Sequence, residues 1–301
     1  MAKQPRKRRL GRIFDNFYGA GVRGYHYDDP VFTKRSDTQH LTDAAEQIAS
    51  GSAVSPMWQW HLQNSASVTK GMQFDVSGST RIGTLLGQTQ KQFTFACLAK
   101  PVSPAPLSQS LFCFAMSGSY PMMAWFGLVS GALNTVKPKF EIISGTVKHG
   151  VYGTAASINA WHTFGVSYTS GTSTRVCIAT DASDVTGLRT KSALSASKPY
   201  KSTSFFMKRS GSANPPASGS AFKGSVNQAA IWTTPMTSSG FDSLYASASH
   251  GHPWSRSGAD FLYLFGLRGS VARRVNYGTT GTGVTGSHIG TITYATSSVS
   301  V

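Results

Sequence analysis

Residues 91–100 read KQFTFACLAK. Along an extended chain successive side chains point to opposite sides, so Phe93, Phe95, Cys97 and Ala99 share one face and Thr94, Ala96 and Leu98 the other. From about Met57 onward, similar short apolar stretches recur between clusters of Gly, Ser, Pro and Asn: Met72–Val76, Leu111–Met116, Met123–Leu128, Phe140–Ser144, Thr163–Tyr168, Arg175–Thr180, Ser204–Lys208, Phe222–Trp232 and Phe261–Leu267. Many short strands punctuated by turn residues are the pattern of an antiparallel sandwich or barrel.

Composition points the same way. Of 301 residues, 40% are hydrophobic, 31 are Gly and only 13% are charged, against a typical ~25%. The surface is therefore covered by Ser, Thr, Gly, Asn and Gln, which excludes a coiled coil or helical bundle, and the aromatic content excludes wholesale disorder. The expected fold class is all-β. One helix interrupts the strands late: in TSSGFDSLYASA, Phe241, Leu244, Tyr245 and Ala248 form an apolar stripe behind Thr237 and Ser238 as caps. A shorter helix is expected over residues 42–49, where Asp43 is a good N-cap and Glu46 sits at the reciprocal capping position.

The chain divides into four parts. Residues 1–40 form an extended arm, 41–56 a short helix and linker, 57–270 the sandwich, and 271–301 a Gly/Thr/Ser-rich, β-prone tail able to add a strand to a sheet edge beside a partner. Lys3, Arg6, Lys7, Arg8, Arg9 and Arg12 precede residue 13 with no acid among them. Such a block stays extended until a partner neutralises it. Phe14, Phe17, Tyr18, Tyr25, Tyr27 and Phe32 then interleave with glycines and charges in no regular period, as in an arm that orders on a partner. The total of 28 Lys+Arg against 12 Asp+Glu, a net charge of +16, favours polyanions or acidic partner surfaces.

Four segments in order resemble the laminin G-like, concanavalin A-like lectin/glucanase sandwich: SVTKGMQFDVSGSTRI, QFTFACLAKP, INAWHTFGVSYTSGTSTRVCIA and FKGSVNQAAIWTTPMTSSGFDSLYA, spanning about residues 67–248. They are similar to the family's opening strand, its "FT…KP" strand, its central hairpin begun by Trp161-His162, and its closing strand, Pro235 turn and helix. The resemblance implies a jelly-roll sandwich of two stacked antiparallel sheets, and domains of this kind occur in tailed-phage virion proteins. Where family members follow "FDG" with acidic calcium ligands, Asp75 here is followed by VSGST, and no metal or other cofactor is expected.

Glucanase chemistry needs two carboxylates on one site, which on a strand means positions i and i+2. The acids from Asp75 onward are Asp75, Glu141, Asp181, Asp184, Asp242 and Asp260, and no two have that spacing. Asp181 and Asp184 in TDASDVTG read as turn formers, so no catalytic residue is assigned. His250 and His252 lack a third ligand nearby, and His162 reads as a half-exposed strand residue. Cys97, Cys113 and Cys177 read as buried free thiols of a protein made in a reducing compartment. Trp125, Trp161 and Trp232 lie in strand patterns as core, which leaves Trp58, Trp60 and Trp254 as candidate glycan platforms.

These readings favour a non-enzymatic virion protein made in the host cytoplasm, a capsid decoration or head-fibre subunit that binds other virion proteins and copies of itself through its termini. The alternatives are a carbohydrate-binding module that touches host glycans, and a coat protein whose basic arm holds nucleic acid. Membrane attachment is not expected. Removing residues 1–40 is expected to leave a soluble sandwich that no longer incorporates into particles. Normal occupancy of the truncated chain, measured on purified particles, would move attachment to the tail after Arg274. Intact incorporation with less packaged nucleic acid would favour the coat protein.

Overall fold

In a computed structural model the described residues are 59–62, 71–73, 92–102, 108–116, 122–144, 147–169, 174–189, 200–206, 220–249, 254, 258–265, 276–280, 286–289 and 293–295. The arm, the helix expected at 42–49, Trp58, His250 and His252 lie outside them.

Two sheets stack face to face as a β-sandwich with the main core between them. Sheet 1 has eight strands: β1 (Gln59–Leu62), β3 (Gln92–Pro101), β9 (His162–Thr169), β10 (Thr174–Thr180), β11 (Ser183–Arg189), β14 (Gly224–Trp232), β15 (Phe261–Leu264) and β17 (Thr293–Ala295). Its order is β11-β10-β9-β3-β14-β1-β17, with β15 also on β14. Sheet 2 has nine: β2 (Gly71–Gln73), β4 (Ser108–Met116), β5 (Met122–Ser130), β6 (Thr135–Ser144), β7 (Val147–Tyr152), β8 (Ala156–Ser157), β12 (Tyr200–Phe205), β13 (Ser220–Ala221) and β16 (Ser287–Ile289). Their order is β16-β2-β12-β4-β5-β6-β7, with β13 on β4 and β8 on β6. Every pairing is antiparallel except β13 with β4.

The alternation read in residues 91–100 holds. Phe93, Phe95, Cys97 and Ala99 enter the core between the sheets, while Ala96 and Leu98 belong to a second apolar cluster on the outer face of sheet 1. The core is aromatic: Phe95 stacks on Phe112 of the opposite sheet with centroids 4.6 Å apart and planes 7° apart, and Phe93, Phe126, Phe140, Tyr168 and Phe205 pack around them. A register shift between Ser110 and Phe112 lets the consecutive Leu111 and Phe112 both enter this core.

The late helix, α1 (Ser238–Ser249), covers the outer cluster of sheet 1. Phe241, Leu244 and Ala248 are buried and Tyr245 half-buried, and the Thr237 carbonyl accepts from the N–H groups of Gly240 and Phe241. The helix can lie this close because Gly165 has no side chain: a Cβ there would stand 2.3 Å from the Phe241 ring.

Several expectations change. Val147–Tyr152 and Ser183–Arg189 are strands, so Asp184 lies in β11 opposite Ala179, and only Asp181, at φ 54°, forms the turn. Trp161 and Trp232 are buried in the cluster beneath α1 rather than between the sheets, and Trp125 is buried on the outer face of sheet 2. The tail supplies β16 to sheet 2 and β17 to sheet 1, so both sheets extend past residue 270 without a second chain. Residues 276–280 also close against β15: the buried Asn276 side chain accepts from Leu262 N–H at 2.7 Å and donates to Thr280 Oγ1 at 2.7 Å, and Tyr277 N–H donates to the Leu262 carbonyl.

Phe241→Ala is expected to cost about 3–5 kcal/mol and Gly165→Ala about 1–3 kcal/mol by overpacking. In the double variant the added methyl no longer meets the ring, so urea denaturation should give a total below the sum of the two.

Candidate functional site

The outer face of sheet 2 carries a cluster of charged and aromatic side chains. Along β6, Val136, Phe140 and Ile142 face the core, which puts Lys137, Lys139 and Glu141 on the opposite side. Pairing brings Tyr152 opposite Lys139, Gly150 opposite Glu141 and Trp125 opposite Glu141 on the other flank. Lys139 Nζ forms an ion pair with Glu141 Oε1 and lies 4.9 Å from the Tyr152 ring centroid, and Lys137 Nζ lies 5.6 Å from it. Tyr152 remains 46% exposed. Glu141 Oε2 is buried without a hydrogen-bond partner.

Glycines shape this face. The Trp125 indole lies over Gly127, where a Cβ would stand 2.3 Å from its ring, and its N–H donates to Ser110 Oγ at 2.7 Å. At Gly150 an added Cβ would meet Lys139 Cε at 2.9 Å and Glu141 Cγ at 3.2 Å. Partial burial alone would lower the Lys139 pKa, but bonding to Glu141 and Tyr152 and their charge carry it above the ordinary lysine value. The folded state thus holds this proton more tightly, and the resulting stabilisation is present below the ordinary lysine range and fades as pH rises through the raised value.

A second polar cluster sits where the two sheets meet. His162 Nδ1 is 2.7 Å from Asp181 Oδ2, and its Nε2 is 3.0 Å from the Ser157 carbonyl and 3.2 Å from Ser157 Oγ. Asp181 Oδ1 also accepts from Thr163 N–H at 2.9 Å. Since β8 belongs to sheet 2 and the Asp181 turn to sheet 1, His162 joins the sheets. One ring nitrogen meets the Asp181 carboxylate and the other meets Ser157, which suits a structural clasp.

The remaining acids are committed elsewhere. Asp184 Oδ2 accepts from Cys177 Sγ at 3.5 Å, Asp260 accepts from Thr233 N–H and Oγ1 and from Thr279 Oγ1, and Asp242 is exposed on α1. No group of three or more His, Cys, Asp or Glu that could hold a metal ion occurs among the described residues, and no described helix is long and apolar enough to cross a membrane. Cys97, Cys113 and Cys177 are buried and free, and burial pushes the Cys97 thiol up.

The expected glycan platforms fare differently. Trp254 is fully buried beneath α1, 6.2 Å from Trp232 by ring centroid, with its indole N–H donating to the Leu244 carbonyl at 3.1 Å. It therefore offers no face to a ligand. Trp60 lies in β1, paired with Val226 and Tyr294, and Trp58 is outside the described residues. The row on β6 was passed over, although the alternation of Lys137, Lys139 and Glu141 with Pro138, Phe140 and Ile142 is itself the signal of one charged strand face.

No family model and no curated protein matches the chain. Among solved structures it is similar to a putative carbohydrate binding protein from Bacteroides ovatus, at 13% identity over 82% of this chain and 62% of that one (TM-score 0.49). A heptameric SAP-like pentraxin from Limulus polyphemus matches at 10% identity over 81% and 98% (TM-score 0.48). The CBM40 of a Ruminococcus gnavus IT-sialidase, bound to α2,3 sialyllactose, matches at 13% identity over 64% and 99% (TM-score 0.45).

His162→Ala is expected to lower stability by about 1.5–3 kcal/mol, the range for hydrogen bonds to charged partners. Lys137→Gln on the exposed end of β6 should leave the urea midpoint within about 0.5 kcal/mol of the parent.

Proposed function

We propose that the chain is a non-enzymatic glycan-binding sandwich that takes an acidic saccharide on the outer face of sheet 2. The observation that carries this reading is the pair Lys137 and Lys139, whose Nζ atoms lie 5.6 and 4.9 Å from the centroid of the half-open Tyr152 ring, beside the Lys139–Glu141 ion pair. A sugar presents an apolar C–H face, hydroxyls and, when acidic, a carboxylate or sulfate. The aromatic ring supplies a surface for the first, and the lysine ammonium groups supply donors for the second and the countercharge for the third. The absence of a strand-spaced carboxylate pair in the sequence supports binding rather than hydrolysis.

A second reading, the chain as a virion subunit attached to other virion proteins, is favoured by the acid-free block from Lys3 to Arg12. The two are compatible, since a subunit held by its arm could display this face to host glycans.

A glycan array probed with the full chain is expected to show binding concentrated on acidic saccharides. Calorimetry on the best ligand should show Tyr152→Ala or Lys139→Gln weakening it about tenfold (~1.4 kcal/mol), with Asp242→Asn on α1 unchanged. Array silence, or affinity indifferent to Tyr152→Ala, would overturn the assignment.

A further inference from the structure

On the other side of the sandwich, between the outer face of sheet 1 and the first turn of α1, lies a cavity of about 170 Å³. Its floor follows from strand alternation. Phe164, Val166 and Tyr168 point into the core, so Gly165, Ser167 and Thr169 point outward beneath the helix. Gly165 receives the Phe241 ring, and the two hydroxyl residues beyond it leave space where the helix begins. Pairing places Cys177 beside Ser167 and Arg175 beside Thr169, and Thr237 and Ser238 line the opposite wall.

Three observations converge on this space. Ser167 is 4% exposed and lines the cavity, and its hydroxyl makes no hydrogen bond among the described residues, which leaves it available to a group in this space. The N–H groups of Ser238 and Ser239 are likewise without partners among the described residues, because they open the helix and no preceding turn offers them a carbonyl. No acidic residue stands in the first turn to offset the positive end of this twelve-residue helix. Arg175 is exposed and has no ion-pair partner among the described residues. The nearest carboxylate on these strands, Asp184, is turned to Cys177 Sγ, and Asp242 is exposed on α1.

We propose that this cavity binds a tetrahedral oxyanion, a sulfate or phosphate group, held by the Arg175 guanidinium, the Ser167 hydroxyl and the free amides at the start of α1. A guanidinium meets two oxygens of such a group at once, and backbone N–H groups at a helix N-terminus point at a third. The group reaches the site either as the free ion or as an ester on a larger molecule. The site is independent of the glycan face on sheet 2.

Calorimetric titration of the full chain at constant ionic strength, with sodium sulfate, sodium phosphate and glucose 6-sulfate as probes and glucose as control, tests this. One-site saturable binding of at least one anionic probe is expected. Arg175→Gln should weaken it by about tenfold or more, Ser167→Ala by a smaller factor, and Lys100→Gln, at the far end of β3 from Thr169, not at all. Tighter binding of glucose 6-sulfate than of free sulfate would identify an ester, and equal binding the free ion. Absence of saturable binding by every anionic probe, or binding that Arg175→Gln leaves intact in a folded variant, would overturn the proposal. Because Arg175 is exposed and unpaired among the described residues, its replacement leaves the core untouched and the comparison interpretable.

Discussion

Phe95 and Phe112 lie face to face between the sheets, and the remaining architecture follows from that stack. Each ring comes from the middle of a long strand, one in either sheet. Fixing the two in register decides which alternate residues of β3 and β4 are inside, and pairing then decides the same for β9, β14, β5 and β12. The bulge at Leu111 is the local adjustment that supplies two consecutive core residues from one strand. A one-residue slip would turn an aromatic layer toward water, so the hydrophobic effect specifies register as strongly as it specifies collapse.

The two outer faces answer different demands. That of sheet 1 is apolar through Ala96, Leu98, Trp161 and Trp232 and is covered by α1, with Gly165 as the point of closest approach. That of sheet 2 combines the buried Cys113 and Trp125 with an ion pair and a half-open tyrosine. One side is thus covered by a helix, and the other leaves a ring in reach of solvent beside lysines whose charges are partly satisfied by Glu141 and that ring.

Local periodicity carried far in this sequence. Ten short apolar runs and the stripe Phe241, Leu244, Ala248 were readable because each is a short-range pattern imposed by one buried face. What escaped were features created by distant partners. TDASDVTG, residues 180–187, looks like a turn because Asp and Ser favour turns, but pairing with β10 draws Ser183–Arg189 into the sheet and leaves only the corner at Asp181 and Ala182. Trp254, in a stretch of His, Gly and Pro, looks exposed, but α1 and Trp232 cover it, and the carbonyl of Leu244, ten residues before it in the chain, takes its N–H. The clasp of His162 with Asp181 and Ser157 joins residues of two sheets, so no single period contains it.

Asn276 occupies the outer side of β15 with a side chain that imitates a strand, taking the Leu262 amide while Tyr277 takes the Leu262 carbonyl. An exposed strand edge is a template on which another chain can polymerise. This one is sealed by an amide side chain and a turn, a seal that needs no further strand and therefore creates no new edge. Growth of sheet 1 by addition of a foreign strand is thereby blocked along β15, and self-association that used this side would first have to displace the asparagine.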